Sequence, residues 1–428
     1  MLAALIFLSL LLMLAAGVPV AFALTIAGTA GLLYTGGVGL LSGILSTTTL
    51  STVSSFELTS IPMFILMAEF VIISGIADTL FRSASIWVGR TPGGLAIATA
   101  LSGAGFGAIS GSSTAAAATL SATSIPAMLR QGYEPKLACG VVAISGTLAM
   151  LIPPSIALIL YGIIADVSVG KLLIGGVIPG VLVTFTIILT VLFLVWRNPA
   201  AAPRGPGYTL REKISSLKVV WPMLVLLGLV TGVIYTGVAT PTEAAALGAF
   251  GACVIAAMFG KLGRGELLRA CVNALRSTAM IFLILVGAHV FGYFFALTGV
   301  TQELVSFVGA SGLAPVVVIT IILGIVLVLG CFLDQIAILV LTVPVALPVV
   351  LAVGYDPIWF GVIMIVVGEV GMVTPPVGLN AFVVARYARR PLSEVFIGAW
   401  PHVVAHLLLI GVLVAVPQLV LWLPSFMS

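Results

Sequence analysis

The sequence predicts an all-α polytopic membrane protein made of two related halves, and three observations carry that prediction. Hydrophobic residues make up 61% of the 428 positions and charged residues only 7%, with a mean hydropathy of +1.33; soluble globular domains do not have such compositions. The apolar residues come in long uncharged runs, which favour helices over the short alternating segments of a β-barrel. A bilayer core of about 30 Å takes roughly 20 helical residues, so the chain can supply on the order of ten to twelve crossings or hairpin arms. Finally, Gly132-Tyr133-Glu134-Pro135 recurs as Gly354-Tyr355-Asp356-Pro357, an offset of 222 residues from 132 to 354.

The same offset maps Pro126 onto Pro348, Gly146 onto Gly368, Pro153-Pro154 onto Pro375-Pro376, Gly176 onto Gly398 and Pro179 onto Pro401. Nearer the start of each half it drifts, with Gly17-Val18-Pro19 facing Gly237 to Pro241. One offset shared by so many positions is not expected from chance pairing of Gly and Pro. The polar segment 198–218 is then a linker between a first repeat, 1–197, and a second, 219–428. Two structural repeats of inverted topology, with the site at their interface near the midplane, are the usual construction of secondary transporters.

Charge sets the orientation. Arg197, Arg204, Arg211, Lys213 and Lys218 cluster around the linker, and Lys261, Arg264, Arg269 and Arg276 form a second group. The positive-inside rule places both in the cytoplasm, and two spans at about 219–237 and 243–260 return the chain to that side. The net charge of +4 is spread over short loops and is no nucleic-acid footprint. Cys139, Cys253, Cys271 and Cys331 lack paired spacing, which argues against a disulfide framework or zinc site. The apolar N-terminus has no basic n-region and reads as a first membrane helix.

Each half carries two interruptions. In the first half, Ala108-Ile109-Ser110-Gly111-Ser112-Ser113-Thr114 divides an apolar hairpin spanning about 94–129. The second-half hairpin, about 313–350, is divided at Gly330-Cys331-Phe332-Leu333-Asp334-Gln335, which puts Ser112 opposite Asp334. Small polar residues suit hairpin tips, although they also suit helix contacts. Broken helices follow at about 136–165 and 357–385. Proline lacks an N–H, so Pro153 and Pro154 free the carbonyls of Ala149 and Met150, and Pro375 and Pro376 free those of Gly371 and Met372. In a membrane, freed carbonyls are costly without a partner. Na⁺ is a suitable partner, with Ser110, Ser112 and Thr374 hydroxyls able to complete the shell; a kink satisfied by neighbouring helices is the alternative. Unwound carbonyls that hold Na⁺ while helix N-termini face an anionic substrate are a known transporter device.

The stretches Ser110-Gly-Ser-Ser, Ser145-Gly-Thr-Leu, Ile152-Pro-Pro-Ser-Ile, Pro241-Thr-Glu-Ala-Ala-Ala-Leu-Gly and Thr374-Pro-Pro-Val-Gly-Leu-Asn resemble the large membrane subunit of tripartite ATP-independent periplasmic (TRAP) transporters. The resemblance runs over essentially the whole chain. It implies a Na⁺-coupled elevator-type importer of the bacterial or archaeal inner membrane, with two or more Na⁺ ions, a scaffold and a mobile domain. It further implies a separate small membrane subunit and a periplasmic binding protein that delivers a small carboxylate. By residue, it implies one Na⁺ site at Ser110, Ser112, Ala149, Ile152 and Pro154, and a second at Asp334, Gly371, Thr374 and Pro376. Ser113, Thr114, Ser155, Gly378 and Asn380 are the residues expected at the solute. Ala149 stands where the family often has Gly, a change that a carbonyl ligand survives.

Other polar residues have local explanations. Asp334 and Glu369 sit inside apolar segments, where a charge must be paired, hydrated, ion-bound or protonated. Glu69 fits a structural hydrogen-bonding role as well as an intramembrane one. Thr240-Pro241-Thr242-Glu243 has the form of a capping box. His402 and His406 share a helix face without a third metal ligand nearby, and His289 reads as a satisfied polar residue. An intramembrane protease would need Ser112 with His289, or Asp334 with Glu369; the duplication of both breaks argues against it. A passive channel would favour a continuous polar pore and repeated subunits, where this chain has two internal halves and localised breaks; a self-contained carboxylate transporter without a binding protein is a further alternative. No phosphate-binding Gly-x-x-x-x-Gly-Lys-Ser/Thr loop is present, so direct ATP coupling is not expected.

Overall fold

A computed structural model describes residues 2–427, and every regular element among them is helical. Seven helices are long and apolar enough to cross a membrane, or eight if one bent pair counts as a span, and six shorter apolar helices accompany them. Full crossings and shorter arms together number thirteen or fourteen among the described residues, above the ten to twelve expected.

The chain opens with α1 (Leu2–Ala15), α2 (Val20–Val53), α3 (Ser60–Ser74) and α4 (Ile76–Val88). A first hairpin follows, α5 (Gly94–Ser110) and α6 (Ser113–Arg130), and then a broken helix, α7 (Pro135–Thr147) and α8 (Ile156–Ala165). Next come α9 (Val169–Gly175) and α10 (Val177–Arg197), the linker helix α11 (Leu210–Leu217), and a span assembled from α12 (Trp221–Leu227), a π-helical turn at Gly228–Gly232 and α13 (Val233–Tyr235). The axis bends by 46° between Leu210–Leu217 and Trp221–Tyr235. Helices α14 (Pro241–Met258), α15 (Arg264–Thr298) and α16 (Val300–Ser311) lead into a second hairpin, α17 (Pro315–Gly330) and α18 (Gln335–Ala352). A second broken helix, α19 (Pro357–Gly371) and α20 (Leu379–Ala388), precedes α21 (Leu392–Ala415) and α22 (Gln418–Leu421).

Local chemistry explains where these helices begin. Pro135, Pro241, Pro315 and Pro357 occupy first-turn positions, where a missing N–H costs nothing and φ is already helical. Thr240 and Glu243 form the reciprocal capping box expected of them.

Two layers result. The long helices α2 and α15 pack along each other, and α3 packs along α14. The hairpins and broken helices pack against one another, α5 and α6 on α7, α17 and α18 on α19, with α20 against α6 and α18 against α8. Helix α21 closes over α7 at a very short approach: a Cβ on Gly140 would meet backbone atoms of Gly398 at 2.1 Å, and one on Gly398 would meet the Lys136 carbonyl oxygen at 1.8 Å. Only glycine allows backbones this close. The Tyr161 hydroxyl donates to the Pro357 carbonyl at 2.7 Å, joining the second arm of one broken helix to the start of the other.

Candidate functional site

The two hairpin tips are built alike. Helix α5 ends at Ser110, Gly111 turns the chain with φ of 58°, and Ser112 is extended. The Ser112 Oγ accepts from the Ala115 N–H at 3.4 Å, capping α6. In the second tip, Asp334 is extended and its Oδ1 accepts from the Ala337 N–H at 2.7 Å, capping α18. Asp334 thus has a capping role that its sequence context did not announce.

The breaks after α7 and α19 differ from expectation in one respect. Three of the four carbonyls expected to be free have partners, Ala149 being the exception. The Ser155 hydroxyl donates to the Met150 carbonyl while its oxygen accepts from the Leu158 N–H at 3.2 Å, so one side chain closes the gap and caps α8. In the second break the Gly371 carbonyl accepts from the Thr374 N–H at 2.9 Å and the Met372 carbonyl from the Asn380 N–H at 3.0 Å. The Thr374 hydroxyl donates to the Val370 carbonyl at 2.7 Å. The reason is that the interrupted chain folds back on itself instead of leaving its polar groups open; each carbonyl keeps a second lone pair. The Gly378 N–H donates to the Cys331 carbonyl at 3.0 Å, which ties the second break to the second tip. The Pro153-Pro154 and Pro375-Pro376 peptide bonds are both cis.

A cavity of about 510 Å³ lies between the tips and the helices α3 and α15. Of the residues singled out from sequence, Ser110, Ser112, Ser113, Thr114 and Asp334 line it. Ala149, Ser155 and Asn380 are fully buried and lie outside its lining. Pro154, Gly371 and Gly378 are buried as well, Thr374 is half-buried, and Pro376 is exposed. Ile152 lines a different cavity, an apolar one of about 490 Å³ that also touches Phe185 and Tyr235.

The lining also includes residues the sequence reading did not place there, notably Gln335, Ser277 and Tyr387, together with Glu69. Gln335 directly follows Asp334 at the tip, and that adjacency was its only signal. Glu69 accepts from the Asn273 amide at 3.1 Å, a link from α3 to α15, so it is both structural and exposed to the cavity. His289 bonds to the Thr52 hydroxyl at 2.8 Å. His402 and His406 are buried and joined by a 2.7 Å contact from the His406 ring to the His402 carbonyl.

Unpartnered polar atoms collect around the tips and breaks. The Ser110, Ser113 and Ser145 hydroxyls, both amide atoms of Gln335 and Asn380, and both carboxyl oxygens of Glu369 are buried without a hydrogen-bond partner. Ser113 and Asp334 both bear on the Glu369 carboxyl. Such groups are rare in folded proteins and call for a ligand or water. The charged residues lining the cavity, Glu69 and Asp334, are both acidic.

This architecture is that of a membrane transporter. The chain superimposes on the crystal structure of the Alcanivorax borkumensis YdaH transporter with a TM-score of 0.66, covering 98% of this chain and 99% of that one at 17% identity, a likeness of fold alone. Residues 7–419 match the family described as tripartite ATP-independent periplasmic transporter, DctM component, and the chain belongs to that family: it is a TRAP large permease subunit and not an enzyme. It is 34% identical to the C4-dicarboxylate TRAP transporter large permease protein DctM of Pseudomonas aeruginosa, over 87% of each protein. It is 32% identical to the isethionate TRAP transporter permease protein DctMQ of Oleidesulfovibrio alaskensis, over 90% of this chain and 60% of that protein.

Proposed function

We propose that this permease takes up a small organic anion, a carboxylate, in symport with two or more Na⁺ ions, by elevator-type alternating access in the bacterial inner membrane. The observation that carries the reading is electrostatic. The cavity between the tips is lined by two carboxylates and by no Lys or Arg, so an anionic solute finds no cationic side chain to neutralise it. Burying like charges together is strongly unfavourable in a low-dielectric site. Cations bound beside the solute remove that penalty, which makes solute binding dependent on them.

The residues fit Na⁺, a hard cation that seeks oxygen. Ser110 and Ser112 with the Ala149, Ile152 and Pro154 backbone offer one set, and Asp334 with the Gly371, Thr374 and Pro376 region offers another. The buried, unpartnered Ser110 hydroxyl is the oxygen most in need of such a ligand, and the Asp334 carboxylate lines the same cavity. The N-termini of α6 and α18 add partial positive charge at the tips, where Ser113 and Thr114 meet the solute; Ser155, Gly378 and Asn380 hold the breaks behind them.

An exchange of partners between the halves supports two repeats related by a two-fold axis, the first requirement of the inverted arrangement. By the 222-residue offset, α14 corresponds to the first part of α2, and α3 to the second part of α15. The pairings α2 with α15 and α14 with α3 are thus one contact made twice with the halves interchanged, as a two-fold axis requires. These four helices would be the scaffold, and the hairpins with the broken helices the mobile domain. The isethionate relative, of which this chain matches 60%, supports a small membrane subunit as a partner. The tripartite family supports a periplasmic binding protein as the third component, and the names of the C4-dicarboxylate and isethionate relatives support small organic anions as solutes, while other relatives are named for ectoine, a zwitterion.

The test is thermal unfolding of the purified chain in NaCl against matched KCl and choline chloride, for wild type and Ser112→Ala. A Na⁺-specific rise that shrinks in the variant supports the reading. Equal unfolding temperatures in all three salts would remove Na⁺ coupling from it.

A further inference from the structure

We propose that the linker helix α11 is an anionic-phospholipid binding surface at the cytoplasmic face, with Arg211 and Lys218 as the headgroup ligands. The inference is independent of the ion and solute assignments.

Helix α11 displays three sides. Leu210, Ile214 and Leu217 are 70%, 52% and 46% exposed, and at i, i+4 and i+7 they form one stripe along the helix. Trp221, 41% exposed at the start of α12, continues that spacing. On the side facing the protein, the Ser83 hydroxyl of α4 donates to the Ser216 carbonyl at 3.3 Å and to its hydroxyl at 3.2 Å. Lys213 sits on one flank of the stripe, its Nζ 5.9 Å from the centre of the Trp87 ring. Arg211 and Lys218, seven residues apart, lie on the other flank and are exposed.

The charge balance selects the ligand. Between residues 204 and 218 there are four basic residues, Arg204, Arg211, Lys213 and Lys218, and one acidic residue, Glu212. Glu212 is engaged in a capping box: the Thr209 N–H and hydroxyl both donate to it at 2.7 Å, which holds its carboxyl below the usual range. It does not neutralise Arg211 or Lys218. An apolar stripe edged by cations, on a helix turned 46° from the span that follows it, matches the interface between acyl chains and anionic headgroups. The linker segment that leads into the helix is also held in place. Gly205 N–H donates to the Gly89 carbonyl at 2.9 Å, Glu134 N–H to the Ala201 carbonyl at 2.8 Å, and the Gln131 amide to the Pro203 carbonyl at 3.2 Å. A lipid on α11 would therefore brace the linker against α4 and the α6–α7 turn.

The test titrates phosphatidylglycerol into the detergent-solubilised chain and follows its unfolding temperature, with phosphatidylcholine and inorganic phosphate in parallel. Phosphatidylglycerol alone is expected to give a saturable rise. Arg211→Gln and Lys218→Gln should each raise the half-saturating concentration about fivefold, and the double variant about thirtyfold, as expected for cations at an anionic surface. Ile214→Ser should raise it too with both charges intact. Equal stabilisation by phosphatidylcholine, or an unchanged midpoint in the double variant, overturns the proposal. So does phosphate matching the lipid, which would mark a simple anion site. A rise on adding the small membrane subunit, with none from phosphatidylglycerol, would assign the face to a protein and overturn it equally.

Discussion

Ser112 and Asp334 occupy the same place in their two hairpins: each is the extended N-cap of the second arm, accepting from the backbone N–H three residues on, at 3.4 Å from Ala115 and 2.7 Å from Ala337. One cap is neutral and the other a carboxylate, so the tips share geometry and differ in charge.

That difference separates capping from ion binding. Asp334→Asn keeps an acceptor at the cap and loses the charge, whereas Asp334→Ala loses both, at about 1 kcal/mol for the cap. Both variants should abolish or strongly impair Na⁺-driven uptake, and only Asp334→Ala should also lower the unfolding temperature in KCl. Uptake at the wild-type rate in Asp334→Asn would refute the ion assignment.

Ser112→Ala removes the weaker cap and a hydroxyl that lines the cavity. Reconstituted uptake should be strongly impaired while membrane insertion and expression are retained. Wild-type transport would show that the first tip does not contribute a ligand through this side chain.

Ser155 tests the first break by itself. Its hydroxyl serves the Met150 carbonyl and its oxygen caps α8, so Ser155→Ala leaves a buried acceptor short and uncaps a helix. A loss of about 2 kcal/mol is expected, measured as a fall in unfolding temperature that persists without Na⁺. If the fall appears only in NaCl, the hydroxyl acts on a bound ion and not on the backbone.

Glu369 is 3% exposed with both carboxyl oxygens unpartnered. Glu369→Gln keeps the shape and removes whatever charge the carboxyl carries near Asp334: a carboxylate beside the ions is read as a rise of about tenfold in the NaCl concentration for half-maximal thermal stabilisation. An unchanged midpoint would show that Glu369 is protonated in the folded protein or lies outside the electrostatic reach of the ions.

Gly140 and Gly398 make a steric prediction. Gly140→Ala or Gly398→Ala drives a methyl group into backbone at the α7–α21 crossing, and overpacking of this kind costs about 1–3 kcal/mol or more. The unfolding temperature should drop equally in NaCl and KCl. A drop confined to one salt would mean that the crossing moves with ion binding.

Much of this protein is written in local chemistry. Apolar runs specify helices in a membrane because each backbone polar group must be satisfied within its own segment, and Pro135, Pro241, Pro315 and Pro357 mark helix starts through a fixed φ and a missing N–H. Thr240 and Glu243 announce a capping box because both partners lie within one turn. The tips and breaks were visible for the same reason: Gly, Ser and Pro interrupt a helix wherever they are placed. Local chemistry therefore reaches as far as the class, the helical segments and the positions of the interruptions. It does not reach the closure of Ser155 on Met150, the tie from Gly378 to Cys331, or the shared cavity of Gln335, Glu69 and Ser112. Those contacts join residues whose partners depend on how helices cross, and crossing is set by close packing such as Gly140 against Gly398, which no local pattern encodes.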